Sequence, residues 1–158
     1  DTALDYFYRS LKIRKKLEDK IGIRDSLNYI GKIHCDIGDY DIAIDYLEKA
    51  LAIHKDVEIK ENNLEATTLL YLAYKHLSKD YDLKIIYNLI KEAENIEFEF
   101  NLRLYDLLED KTYLETAYTQ IHENADALDD ELKEKYLSYP IPKAIVEEWE
   151  KVNRPTSL

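Results

Sequence analysis

The strongest constraint on what this chain can fold into is an ordered set of small and large apolar residues that recurs along it at near-equal intervals. From Leu27 the sequence reads LNYIGKIHCDIGDYDIAIDYLEKALAI, in which Ile30-Gly31, His34, Gly38-Asp39-Tyr40, Ala43, Leu47, Ala50 and Leu51 follow in a fixed order. Ala43, Leu47 and Ala50 are spaced by four and three, so on a helix they form one stripe with small residues at its ends. Earlier in the chain Ala3, Phe7, Ser10 and Leu11 stand in the same order and spacing as Ala43, Leu47, Ala50 and Leu51. Further on, Leu72-Ala73 and His76 repeat Ile30-Gly31 and His34, and Ile86, Ile90 and Ala93 repeat the stripe. A recurrence on this scale signals stacked supersecondary units, each burying its apolar face on the next. Only 3 Gly and 3 Pro occur in 158 residues, too few for the frequent tight turns of a sheet protein, so the units are helical.

The order of residues from Ile30 to Leu51 closely resembles the tetratricopeptide repeat signature. In that signature a large and a small apolar residue precede an aromatic-like one, a Gly-Asp-Tyr turn follows, and Ala, a large apolar residue and Ala close the unit. Helix geometry gives the physical sense. Gly31 lets two antiparallel helices approach, Gly38 supplies a left-handed turn, Asp39 can cap the next helix, and Tyr40 packs back between the pair. Helix A is expected over Arg24 to Ile37 and helix B over Tyr40 to Lys55. The resemblance implies an all-α fold, a right-handed α-α superhelix (a tetratricopeptide solenoid) with a carboxyl-terminal capping helix.

On this reading residues 1–152 form the array. Residues 1–20 are helix B of a truncated repeat, 21–57 and 60–97 are repeats, 98–137 are a degenerate repeat, 142–152 are the cap, and 153–158 are a tail. In the degenerate unit Leu104-Tyr105 and Leu108 suit helix A, while Leu114, Ala117 and Ile121 suit helix B. Pro140 and Pro142 forbid one continuous helix near the end, and Ala144, Ile145, Trp149 and Val152 are expected to share the sealing face. This ending is similar to the terminal segments of arrays attached to bacterial cyclase or ATPase signalling proteins. The chain has no Met and starts at Asp1, which suggests a piece of a longer protein. Ala3 aligns with a second helix, so the array is expected to extend further, and Phe7, Leu11 and Tyr6 would then be uncovered and favour homo-oligomer formation through the amino-terminal helix.

A net charge of -11 argues against nucleic acid, which demands clustered cations. The one basic cluster, Lys12 to Lys16, is followed by Glu18 and Asp19 and reads as a solvated helix end rather than a phosphate patch. No apolar run reaches membrane-spanning length and no signal peptide is evident, which favours the cytoplasm and no membrane partner. Cys35 is the sole cysteine, so no internal disulfide can form, and it reads as a small buried hydrophobe. His34, His54, His76 and His122 lack ligand spacing, so no metal is expected, and His34 and His76 occupy a packing position. Three scattered glycines cannot cradle a phosphate, no acid, base and nucleophile are grouped, and neither a cofactor nor catalysis is expected. The 14 tyrosines divide between core and surface, with Tyr71 and Tyr74 as candidates for the surface.

The resemblance places the partner-binding concave wall on helix A. Its positions here are Asp25, Asn28, Lys32 and Cys35, then Thr67, Leu70, Tyr74 and Leu77. The subclass that grips chaperone tails uses a Lys, Asn and Arg clamp for a terminal carboxylate. Asn28, Tyr29, Lys32, Thr67 and Tyr71 stand at the matching places, so the clamp is largely missing and carboxylate-tail binding is not expected. The expected function is a protein interaction scaffold that binds a peptide or helix in its groove. The alternative is a regulatory or sensor segment of a larger signalling protein whose catalytic domain lies elsewhere.

Overall fold

The computed structural model describes residues 2–57 and 63–154. Among the described residues there are nine α-helices and no strand: α1 (Ala3–Lys16), α2 (Lys20–Asp36), α3 (Tyr40–Asp56), α4 (Leu64–His76), α5 (Leu83–Glu92), α6 (Phe98–Leu108), α7 (Lys111–Asp126), α8 (Asp130–Leu137) and α9 (Pro140–Asn153). The start of the segment expected at 60–97 and most of the tail expected at 153–158 lie outside the described residues. The chain divides into two compact units, residues 1–93 and 94–158.

In the first unit consecutive helices pack on each other, α1 on α2, α2 on α3 and α3 on α4, and α2 also touches α4. That skip contact gives the pairwise advance of a solenoid, in which alternate helices line one wall. Small residues set the spacing. Ala43 and Leu47 are fully buried and Ala50 nearly so, and a Cβ placed on Gly31 would fall 2.6 Å from Leu47 Cγ. The α2–α3 pair can approach only because position 31 carries no side chain.

The helices of this unit keep a fixed rhythm. α1, α2, α3 and α4 end at Lys16, Asp36, Asp56 and His76, at equal intervals, and are followed by the apolar caps Leu17, Ile37, Val57 and Leu77. Three of these ends share one closure. Glu18, Gly38 and Ser78 take left-handed φ of 55°, 85° and 53°. The next amide donates back across the turn, from Asp19 to Arg14 O at 3.0 Å, from Asp39 to His34 O at 2.8 Å and from Lys79 to Tyr74 O at 2.9 Å. This pattern satisfies carbonyls that the helix end would otherwise leave bare.

The closures fix the register of the repeat by setting Ser78 on Gly38, and they correct the longer alignment that sets His76 on His34. His34 Nε2 lies 3.1 Å from the Tyr8 hydroxyl, and in the next repeat the Tyr74 hydroxyl donates to Glu48 at 2.5 Å. Tyr74 is therefore the counterpart of His34. His76 is exposed at the end of α4 and stacks on Tyr40 at 4.3 Å. Tyr40 thus packs toward the following helix instead of back between α2 and α3. Asp39 stands at the cap position of α3 without capping it, and its Oδ2 lies 3.4 Å from His34 Nδ1. Leu11, expected uncovered, is buried with Leu27, Ile30 and Ala50, and Phe7 is half-buried and stacked on Tyr29 at 4.7 Å, while Tyr6 is exposed.

The second unit is organised around α7. Leu114, Ala117, Ile121 and Ile145 form its core, with Trp149 stacked on Tyr118 at 5.0 Å. α6 packs along α7, and α8 and α9 also pack on it. Buried Asn101 donates to Ile96 O at 2.8 Å and to Gln120 Oε1 at 3.0 Å, and Gln120 Nε2 donates to the same carbonyl at 2.8 Å. The loop before α6 is thereby tied to both helices. Pro140 and Pro142 sit in the first turn of α9, where the missing N–H groups have no helical acceptor, so the helix begins at Pro140 instead of Pro142. Its inner face uses Pro142, Ile145, Trp149 and Val152, and Ala144 points outward.

Candidate functional site

A cleft of about 350 Å³ runs between α2 and α4, bounded by Arg24, Asp25, Asn28, Tyr29 and Lys32 on one wall and Glu65, Ala66 and Leu69 on the other. It continues into a pocket of about 120 Å³ that reaches Ala50, Leu51, His54 and Asn63. The α2 wall follows from helix periodicity, since positions 25, 28 and 32 are spaced by three and four on one face. The opposite face carries Leu27, Ile30 and Gly31 into the core, so the wall is held rigid from behind.

Charge in the cleft is paired across short distances. Asp25 Oδ1 accepts Arg24 Nε at 3.0 Å and Nη2 at 2.7 Å, and the guanidinium is largely buried. This forked pair fixes the guanidinium plane at the cleft's edge. Lys32 Nζ donates to Glu65 Oε1 at 3.3 Å, bridging the two helices across the opening. Between these pairs Asn28 Oδ1 is buried with no hydrogen-bond partner. Tyr29, about half exposed and stacked on Phe7, gives the cleft an aromatic margin. The cleft thus offers both polar and apolar side chains along its length. Among the described residues no group of three or more His, Cys, Asp or Glu could hold a metal ion. Likewise, no helix among them is long and apolar enough to cross a membrane.

The structure brings the α2 half of the sequence-derived wall together. Asp25, Asn28 and Lys32 line the cleft, and Cys35 continues their line, half-buried, with Sγ 3.7 Å from Leu69 O. The α4 half is placed elsewhere. Thr67 is buried and its hydroxyl donates to Asn63 O at 2.9 Å, Leu70 is buried, and Leu77 caps the end of α4 half-buried. Tyr74 faces α3 through Glu48, with Lys79 Nζ over its ring at 5.9 Å. Burial and the Glu48 carboxylate push its phenol up to about 12. Tyr71, a surface candidate in the sequence, is buried and packs on Tyr81 at 5.2 Å.

These displacements share one cause. An alignment two positions too long rotates each helical assignment by about 200°, which moves a wall residue to another face. In the register fixed by the closures the counterparts of Asp25, Asn28, Lys32 and Cys35 are Glu65, Thr68, Leu72 and Lys75. Glu65 lies in the cleft, and Thr68 is fully buried with an unpartnered hydroxyl, as Asn28 has an unpartnered amide oxygen. The sequence holds a signal for this register in the apolar caps at 17, 37, 57 and 77.

The family model described as tetratricopeptide repeat matches residues 1–56, which span α1, α2 and α3. No curated protein and no solved structure matches the chain. Repeats of this family generally mediate protein–protein interaction. With the close Gly31–Leu47 approach, the left-handed Gly38 turn and the α2–α4 skip contact in place, the matched segment has both the sequence pattern and the geometry of tetratricopeptide repeats.

Proposed function

We propose that this chain is an interaction scaffold whose α2–α4 cleft holds a segment of a partner protein. The observation that carries the reading is the cleft of about 350 Å³ with Asn28 at its base and the Arg24–Asp25 and Lys32–Glu65 pairs around it. A buried amide oxygen without a partner costs about 1–3 kcal/mol. A bound peptide N–H that reached Asn28 after a small rotation would recover part of that cost. Mixed pairing of charges at the rim suits a partner carrying both signs, since either end of each pair can be exchanged for a partner group. The same reading takes residues 98–137 as a degenerate repeat and α9 as the helix that closes it. It also keeps the expectation that a bare terminal carboxylate is not what the cleft selects, because its two cations already hold carboxylates.

The test is a photo-crosslinking side chain at Asn28, compared with one at exposed Glu134 on α8, in the full chain in cells. Capture of a partner at position 28 and not at 134, lost when Lys32→Glu and Tyr29→Ala are added, is the expected result. Equal capture at both positions, or capture unaffected by the two substitutions, would refute the cleft as the binding site.

A further inference from the structure

The charges of the α2–α4 cleft are paired, but the pairs are not symmetric toward solvent. In each pair the cation is the hidden member. The Arg24 side chain is 10% exposed against 37% for Asp25, and that of Lys32 is 27% exposed against 59% for Glu65. Arg24 points two donors at Asp25 Oδ1, and Lys32 points one at Glu65 Oε1. Among the described residues no donor reaches the second oxygen of either carboxylate, Asp25 Oδ2 or Glu65 Oε2. Asn28 Oδ1, buried and without a partner, is a third open acceptor. Three oxygens with open lone pairs thus line one cleft, while its cations are turned inward.

What these oxygens accept follows from the donors that side chains carry. A carboxylate has no hydrogen to give, and to reach Arg24 or Lys32 it must displace the acid already there. A neutral amide or hydroxyl gives one or two donors and no charge. An ammonium or guanidinium gives three to five donors, no competing acceptor, and the charge that outward carboxylates attract. Arg24 opposes such a cation little, because Asp25 compensates its charge at 2.7 Å. The net charge of -11 on the whole chain adds attraction of the same sign. We propose that the α2–α4 cleft selects a Lys or Arg side chain of the partner segment, accepted by Asn28 Oδ1 and by the outer oxygen of Asp25 or Glu65. Of the two signs such a partner carries, the positive one enters. The assignment rests on the cleft being the binding site.

The test selects random heptapeptides displayed on phage against the full chain and against its Asn28→Leu, Glu65→Gln and Glu134→Gln variants. Lys or Arg is expected to be enriched at one peptide position on the wild type and on Glu134→Gln, less so on Glu65→Gln, and not at all on Asn28→Leu, which keeps the net charge. Norleucine in place of that Lys or Arg, in a synthetic copy of a selected peptide, should weaken binding about fivefold, the range of one exposed ion pair. The Glu65→Gln and Glu134→Gln pair decides even where Asn28→Leu does not fold, since both acids are exposed. Enrichment of Asp or Glu, no charge preference, or no selected peptide would overturn the proposal. So would equal weakening by Glu65→Gln and Glu134→Gln, which would mean diffuse attraction to an acidic protein. Capture by the crosslinker at position 28 together with an acidic or neutral selection would keep the cleft as the binding site and remove the cation.

Discussion

The two units solve the same problem, seating one helix on another, in opposite ways. In the first unit α1 to α4 end at equal intervals and approach through absent or small side chains, Gly31 against Leu47 and Ala43, Ala50 and Ala73 at the seams. In the second unit the helices end at Leu108, Asp126, Leu137 and Asn153 with no fixed interval, and large rings fill the space, Tyr105, Tyr118, Tyr136 and Trp149 around Leu114 and Ile145. A periodic backbone lets one small residue per contact do the spacing, because every contact is alike. Where the period is lost, each contact must be filled individually, and bulky side chains with polar tips take that role.

The comparison breaks if enlarging a seam residue of the first unit, or shrinking a ring of the second, costs nothing. Leu47→Ala should have the largest effect, about 3 kcal/mol by the usual cost of emptying a fully buried leucine site. Gly31→Val should follow at about 2 kcal/mol, since the new methyls would press into Leu47. In the second unit the loss comes from shrinking a ring and not from enlarging a small residue. Tyr105→Ala should cost about 1–2 kcal/mol by removing both packing and the hydroxyl that donates to Glu148 at 3.1 Å. Urea unfolding of the full chain, followed by far-ultraviolet circular dichroism, measures all three. A neutral Gly31→Val would show that the α2–α3 spacing is not set by position 31.

Legibility follows glycine. Helices α2 and α3 can be read from the sequence with only the start of α2, Lys20 instead of Arg24, displaced by a full turn, because Gly31 and Gly38 mark the close approach and the turn. The next helix pair carries no such marks. Tyr71 stands at the place of Gly31 and Ser78, with φ 53°, at that of Gly38, so Leu72-Ala73 and His76 offer a false match two positions out of register. In the candidate wall Asp25, Asn28 and Lys32 keep their places, and the α4 half rotates away to Glu65, Ala66 and Leu69. In the second unit the expected stripe Leu114, Ala117 and Ile121 is fully buried, since a helix needs only its own periodicity to show its inner face. The Asn101–Gln120 link to Ile96 is invisible in the sequence, because it joins residues by tertiary geometry and not by spacing.

The turns give a smaller test. Glu18, Ser78 and Glu109 adopt left-handed φ without being glycine, whereas Gly38 fills the equivalent place at no steric cost. Ser78→Gly and Glu109→Gly should each stabilise by about 0.5–1 kcal/mol, the left-handed penalty less the added chain entropy. Gly38→Ala should destabilise by about 1 kcal/mol. If Ser78→Gly stabilised and Glu109→Gly did not, the shared closure of the first unit, and not the dihedral alone, would be what holds its rhythm.

The smallest expected effect concerns alkaline pH and is shared by the two units. The contact between the paired helices is made in one repeat by Tyr8 toward His34 and in the next by Tyr74 toward Glu48, so a phenol stands on opposite sides of the same junction. Burial pushes both phenols up to about 12, helped by Tyr46 beside Tyr8 and by the Glu48 carboxylate beside Tyr74. An unfolded tyrosine ionises near 10, so the folded state holds these protons more tightly. The stability they contribute is fully present below pH 10 and is lost as pH rises through about 12. Melting temperatures measured from pH 9 to 12 should fall less steeply for Tyr74→Phe, and less steeply again for Tyr8→Phe with Tyr74→Phe. In the second unit Tyr105 is raised by burial and by Glu148 in the same direction. Tyr105→Phe should therefore flatten the same curve, and a wild-type slope in every variant would mean that these junction phenols ionise in the folded state as freely as in the unfolded chain.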